Sequence, residues 1–308
     1  MNKVLDKIKD LELEIKQNIK SSKSHNTIRA YKSDLKSFNQ FCKNLNLRSM
    51  PTNEKTVSLF ITEISKFSKF STIKRKLAAI KTSHVLTGNY LDLKHPIINE
   101  NLKSIKNKIG IYQKSKKPIL IKDLKEIISN VELQKNIKTK LRDKALILVG
   151  FAGAFRRSEL VALKFKHLDF VNEGVKIFIE RSKTDQSGEG MVKALPFFND
   201  RKYCPVLNLQ IWINFLKNKN TKSEKIFNIS DKSVALIVKK YVKASGLDDT
   251  NYAGHSLRSG FATSTAESGA EEMQIMAMTG HKSNLMVRRY IQEANLFKNN
   301  ALNKINFN

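Results

Sequence analysis

The chain has 308 residues, 41% of them apolar, with 56 Lys and Arg against 28 Asp and Glu and a formal net charge of +28. These values exclude global disorder; 12 Gly and 5 Pro exclude collagen-like and low-complexity classes, and two cysteines, Cys42 and Cys204, cannot build a disulfide framework or a four-thiolate zinc site. A basic excess of this size predicts a polyanionic partner, nucleic acid first and an anionic membrane surface second.

Charges recur every few residues from Met1 to Ser22, so no secretory signal is expected there. No run of about 18 apolar residues follows, so no transmembrane helix is expected either. The chain should stay in the compartment where it is made, a reducing one such as the cytoplasm. At about 150 residues per domain, two domains are expected.

Helical spacing opens the chain. Ile28, Tyr31, Leu35, Phe38, Cys42 and Leu45 form a buried stripe, with Asn26 or Thr27 as its cap. Val57, Phe60, Ile61 and Ile64 form a second. Ile73, Leu77, Ile80 and Val85 form a third, closed by Gly88. Pro96 starts a fourth, with Ile98, Leu102 and Ile105. Residues 1–110 therefore read as a helical bundle. The basic stretch 111–118, ending in Pro118, reads as a linker, either a soluble hinge or a strand of lysines along a phosphate backbone.

Residues 119–308 read as a second, mostly helical domain. Leu124, Ile127, Ile128 and Val131 predict one helix; Leu141, Ala145, Leu148 and Val149 predict another. The period then becomes two at Val175, Ile177 and Ile179, a strand, with a partner strand from Met191 to Phe197 and a turn-rich tip between. From Pro205 the pattern is helical again, and the fold class is mainly α with a small antiparallel sheet.

Four features of the second domain carry chemistry. They are Gly153-Ala154-Phe155-Arg156-Arg157-Ser158-Glu159-Leu160, Lys183 at the hairpin, Gly254-His255-Ser256-Leu257-Arg258, and Gly280-His281 followed by Arg289-Tyr290. Each alone has an ordinary reading: a surface salt bridge, an exposed lysine, a solvated His-Arg pair, a packing tyrosine. Their conjunction in this order resembles the tyrosine recombinases, the phage-integrase-like site-specific recombinases. The likeness is specific from about Asp143 to Tyr290. It extends loosely forward to His25–Tyr31 and Ser71–Ile73, which look like that family's core-binding, SAM-like domain. Size and the lack of a long extra front segment resemble the simpler Cre-like and Xer-like members.

Cutting a DNA strand without a metal needs a nucleophile, cations on the phosphate and a proton for the leaving oxygen. Tyrosine can be the first, with a covalent intermediate. Arginine forks hold phosphate oxygens in pairs at any working pH. Lysine or histidine can give the proton. By resemblance, Arg156 and Arg258 are the phosphate clamps, and Glu159 orients neighbours. Lys183 protonates the leaving 5′ oxygen, with Lys176 and Lys193 as competitors for that role. His255 and His281 complete the second and third boxes, and Tyr290 is the nucleophile, ahead of Tyr241 and Tyr252. Arg157 is secondary, and Arg288 reads equally well as a solvated charge. The tail, with Ile291, Leu296, Phe297, Leu302, Ile305 and Phe307, is amphipathic. It would serve as an exchange helix on a neighbouring protomer or dock on its own core.

The resemblance implies a C-shaped, two-domain clamp on double-stranded DNA and strand exchange through a Holliday junction. It implies a homotetramer on two sites, with a dimer per site, and no ATP, metal or other cofactor. Two other readings share these features: a DNA-binding regulator that does not cut, and a type IB topoisomerase. High Lys, Asn and Ile content points to an AT-rich bacterial or mobile-element genome.

Overall fold

The computed structural model describes residues 2–21, 23–111, 115–182, 185, 189–281, 283–297 and 300–305. The chain parts into two units, residues 1–114 and 115–308. The dividing point falls within the basic stretch read as a linker. Its second half belongs to the second unit: the Lys117 amide donates to Asn251 O, and Lys116 Nζ donates to Thr250 O.

The first unit is helical: α1 (Asn2–Ser21), α2 (His25–Asn44), α3 (Glu54–Ser65), α4 (Phe70–Leu86) and α5 (Pro96–Ile109). On α1, Ile8, Leu11, Leu13 and Ile15 are exposed. Ser24 caps α2 by accepting the Thr27 amide, two or three residues ahead of the caps expected at Asn26 or Thr27. Phe38, Cys42, Val57, Phe60, Ile61, Ile64, Ile73, Leu77, Ile80, Ile98 and Ile105 form one core. The stripe on α4 departs from expectation at its end. Val85 is 64% exposed, and His84 takes the buried slot. Spacing explains this: 73, 77, 80 and 84 keep the three-and-four rhythm, and 85 leaves the face. The imidazole is tolerated there because Nε2 accepts the Thr52 amide and Nδ1 donates to Ile80 O.

The second unit runs α6 (Ile121–Glu132), α7 (Ile137–Ala152), α8 (Arg157–Ala162), β1 (Leu168–Val171), β2 (Gly174–Ile179), β3 (Met191–Pro196), α9 (Pro205–Asn218), α10 (Asp231–Ala244), α11 (Ser256–Glu267), α12 (Glu272–Thr279) and α13 (Asn284–Ala294). The sheet is antiparallel in the order β1-β2-β3. Strand β1 is additional to the hairpin expected from alternation. At four residues, with Asp169 and Phe170 outward, it is too short to show a period. In β2, Val175, Ile177 and Ile179 point inward as expected. They join Leu148, Phe155, Leu195, Trp212, Phe227 and Tyr241 in the main core.

A smaller cluster holds α11, α12 and α13 together through Ala262, Ala266, Ile275, Val287 and Tyr290. Beyond α13 the described tail forms one 3-10 turn, Ala301–Lys304, in place of a continuous helix. Leu296, Phe297, Leu302 and Ile305 are exposed, so among these the tail does not dock on its own core; Phe307 lies outside the described residues. No described helix is long and apolar enough to cross a membrane.

Candidate active site

The site starts at the turn that ends α7. Gly153 stands where a Cβ would lie 2.1 Å from the Phe155 ring, so only glycine allows the chain to fold back so tightly. Ala154 follows with φ of 47°, a left-handed conformation that is costly for a residue with a side chain. The turn delivers Arg156 to the N-cap of α8. Glu159, buried one turn on, accepts the Arg156 amide at 2.9 Å and its Nη1 at 2.6 Å. One carboxylate thus holds both the backbone and the guanidinium of Arg156.

Helix α11 brings the second arginine. His255 stands exposed at its N-cap, and Arg258, on the first turn, is 1% exposed. Arg258 donates from Nη1 to Ala154 O at 2.8 Å and from Nη2 to His281 Nε2 at 3.1 Å. It forms no ion pair with a carboxylate among the described residues. Burial, aided by Arg156, pushes its pKa down to about 10, which still leaves it a cation at working pH. A buried charge with so little compensation is expensive and marks a site where charge is used.

His281 follows Gly280, which ends α12 in the left-handed conformation at φ of 63°. Burial and then Arg258 and Arg156 hold its pKa down to about 4, with His255 and Lys193 adding to the effect. The ring is therefore neutral. Arginine cannot accept, so Nε2 takes the Arg258 proton and the ring's own hydrogen sits on Nδ1. That Nδ1, and Arg258 Nε, are buried without an acceptor among the described residues. Surplus donors and cations around one point suit an oxyanion.

Tyr290, on α13, is 7% exposed, and its ring centroid lies 6.3 Å from that of His281. Burial raises its pKa, and Arg258 and Arg289 oppose the rise. The competing tyrosines are committed elsewhere. Tyr241 donates to Asp143 at 2.9 Å inside the core, and Tyr252 packs with its hydroxyl 3.5 Å from Asp123. Arg157 and Arg289 are exposed, and Arg288 pairs with Glu272.

Of the expected residues, the structure gathers Arg156, Glu159, Arg258, His281 and Tyr290, with His255 at the edge. Lys183 lies outside the described residues, as does Lys282. Lys176 is exposed on the outer face of β2. Lys193 is the addition. It is 1% exposed, donates to Gly153 O at 2.6 Å, and lies 4.7 Å over the Phe155 ring. Burial pushes its pKa down to about 7; Glu159 opposes this, and Arg258 and Arg156 add to it. A signal for it exists in the sequence: within Met191, Lys193 and Leu195, the lysine occupies the inward phase of the alternation. Among the described residues, no three His, Cys, Asp or Glu side chains cluster as a metal ion would need.

Comparison with known proteins identifies the family. Residues 119–296 match the phage integrase family and residues 17–85 its N-terminal SAM-like domain. An integrase/recombinase xerD homolog of Selenomonas ruminantium is 38% identical over 96% of this chain and 89% of its own length. Tyrosine recombinase XerC of Rickettsia typhi is 29% identical over 87% of each chain. In fold, the chain is similar to XerH site-specific recombinase bound to palindromic difH substrate in a post-cleavage complex, with TM-score 0.66 and 19% identity over 89% of this chain and 80% of that one. It is also similar to lambda integrase in a dimer bound to a core site, with TM-score 0.60 and 17% identity over 96% and 79%. The chain belongs to the phage integrase family of tyrosine site-specific recombinases, enzymes that cleave and rejoin DNA.

Proposed function

We propose that Tyr290 attacks the scissile phosphate of a specific DNA site while Arg156 and Arg258 hold its non-bridging oxygens. The phosphorus–5′ oxygen bond breaks as the tyrosyl bond forms. Lys183 gives its proton to the departing 5′ oxygen, leaving a 3′-phosphotyrosyl link and a free 5′ hydroxyl. Tyr290 gives up its phenolic proton to water as it attacks; in the second step the 5′ hydroxyl of a partner duplex attacks the same phosphorus and returns its proton to Lys183, and Tyr290 leaves and takes a proton back from water. The energy of the broken bond is kept in the phosphotyrosine, so the cycle needs no nucleotide cofactor. His281 supplies an imidazole hydrogen bond to the phosphate, and His255 adds another.

The observation that carries this reading is the environment of Arg258. Its guanidinium is buried, has no carboxylate partner among the described residues, and keeps a donor to spare beside the neutral His281 and the phenol of Tyr290. An incoming phosphate anion offsets the cost of that buried charge.

Strand exchange follows if two sites are paired by four copies, each cutting one strand, through a Holliday junction. The exposed Phe297, at 86%, and its neighbours in the tail are apolar anchors available for contact between copies. A lambda integrase tetramer bound to a Holliday junction is among the similar folds.

The test is covalent trapping. Duplexes are selected from a random pool by binding, then rebuilt with a nick beside each candidate scissile phosphate so that the freed fragment diffuses away. Wild type should give a denaturant-resistant adduct without added metal, and Tyr290→Phe should give none while still binding. Tight binding with no adduct from wild type would point to a regulator that does not cut.

A further inference from the structure

The buried lysine of β3 has no part in the attack, clamp or proton transfer described above, yet it reaches the same turn. Lys193 stands opposite Ile177 in the sheet register, on a face otherwise made of Val175, Ile179 and Leu195. An apolar residue of similar length would pack there without the cost of burying an ammonium. What lysine adds is the hydrogen bond and the charge. Its Nζ takes Gly153 O, Arg258 takes Ala154 O, and Glu159 takes the Arg156 amide. Three contacts from three separate elements therefore grip one four-residue turn, and that turn holds a left-handed alanine that does not favour its own conformation.

We propose that Lys193 is a positioning residue for the phosphate clamp: by holding the Gly153 carbonyl it fixes the turn from which Arg156 emerges and to which Arg258 is tied. This rests on the reading of Arg156 and Arg258 as the groups that bind the scissile phosphate. The charged groups facing Lys193 are Glu159 and Arg156 at the start of α8, Arg258 of α11, and His281. Either protonation state of the amine keeps an N–H for Gly153, so the grip survives through neutral pH. A phosphate held by the arginines favours the charged form and strengthens it.

The test compares single-turnover adduct formation on two nicked duplexes carrying the selected site. One has an ordinary scissile phosphate. The other has a methylphosphonate, in which a neutral methyl replaces a non-bridging oxygen and less is asked of the arginines. Lys193→Met keeps the unbranched chain and removes the donor. It should slow adduct formation about 10- to 100-fold on phosphate, less than removal of a direct oxyanion donor. On methylphosphonate the slowing should be at most about threefold relative to wild type, and site affinity should change no more than that. Lys193→Arg, which keeps a cationic donor, should recover most of the rate. Equal losses on the two substrates would make Lys193 a general packing residue and overturn the inference, as would a Lys193→Met rate equal to wild type. Should Lys193→Met not fold, Lys193→Arg decides: no loss, or one confined to the phosphate substrate, supports the inference, and an equal loss on both overturns it. Wild type reports on the parent reading separately. With no wild-type adduct the clamp assignment fails and the inference falls with it; with a wild-type adduct, the variants judge Lys193 alone.

Discussion

Two histidines, the buried His84 of the first unit and the half-buried His281 of the second, show how the same side chain can complete a packing in one place and be left open to a ligand in the other. In the first unit both ring nitrogens of His84 are used, by the Thr52 amide and by Ile80 O. The ring joins α4 to the segment before α3, and nothing is left to react. In the second unit His281 spends one nitrogen on Arg258 and keeps a buried Nδ1 with no acceptor among the described residues. Both rings keep Nδ1 out of solvent, but only His84 has both nitrogens hydrogen-bonded. A satisfied polar group stabilises a unique packing, and an unsatisfied one beside buried cations is free energy withheld for a ligand.

The comparison can be broken most forcefully at Arg258. Arg258→Ala should lower adduct formation by about 10²- to 10³-fold or more, while anisotropy titration shows most site affinity retained. A parallel loss of binding would make it a general DNA contact. Lys183→Ala should lose a similar factor, about 10²- to 10³-fold, on an ordinary phosphate. The loss should largely vanish with a 5′-bridging sulfur, a leaving group that needs no proton. Persistence of the defect with sulfur would remove Lys183 from the role of proton donor.

The histidines themselves give the next contrast. His281→Asn should cost about 10- to 100-fold in cleavage with little change in Tm. His84→Leu should do the opposite: it strands a buried amide and a carbonyl, costs about 1–3 kcal/mol of stability, and leaves the rate of the folded fraction unchanged. If His84→Leu slowed cleavage at constant stability, the division between architecture and chemistry would fail.

The smallest effect is on pH dependence. His281 has a folded pKa held near 4, below its ordinary 6.5, so the unfolded chain binds the proton more readily. Its contribution to stability is complete above that ordinary value and is lost as pH falls towards about 4. Lys193, with a folded pKa near 7 against an ordinary 10.5, makes wild type gain stability as pH rises between those values. Thermal melting should therefore show a shallower acid slope for His281→Asn, and for Lys193→Met a smaller rise or a steeper fall in stability between pH about 7 and 10.5 than wild type. Slopes equal to wild type in either variant would contradict the corresponding environment.

Much of this was legible because periodicity and box spacing are local. The stripe Val57, Phe60, Ile61 and Ile64 became a buried helix face, and the alternation of Val175, Ile177 and Ile179 became a strand. The boxes around Arg156, His255–Arg258, and His281 with Tyr290 named residues that the fold then gathered, Arg258, His281 and Tyr290 in direct sequence of contact. His84 was missed because hydropathy favours valine over histidine at the end of a stripe, although the spacing favours position 84. Lys193 was legible only as a rival lysine, because its inward phase in β3 gains meaning once the strand is known to cover the Gly153 turn.

Composition and charge by themselves pointed to a polyanionic partner, and motif order to the tyrosine recombinase family, since residue types and their spacing are local properties of the chain. The tertiary structure decided which groups share a dielectric. It buried Arg258, neutralised His281, committed Tyr241 to Asp143, and placed Lys193 under the turn that holds the arginines. Charge states and hydrogen-bond completeness depend on distances between residues far apart in the chain, and no linear spacing encodes those.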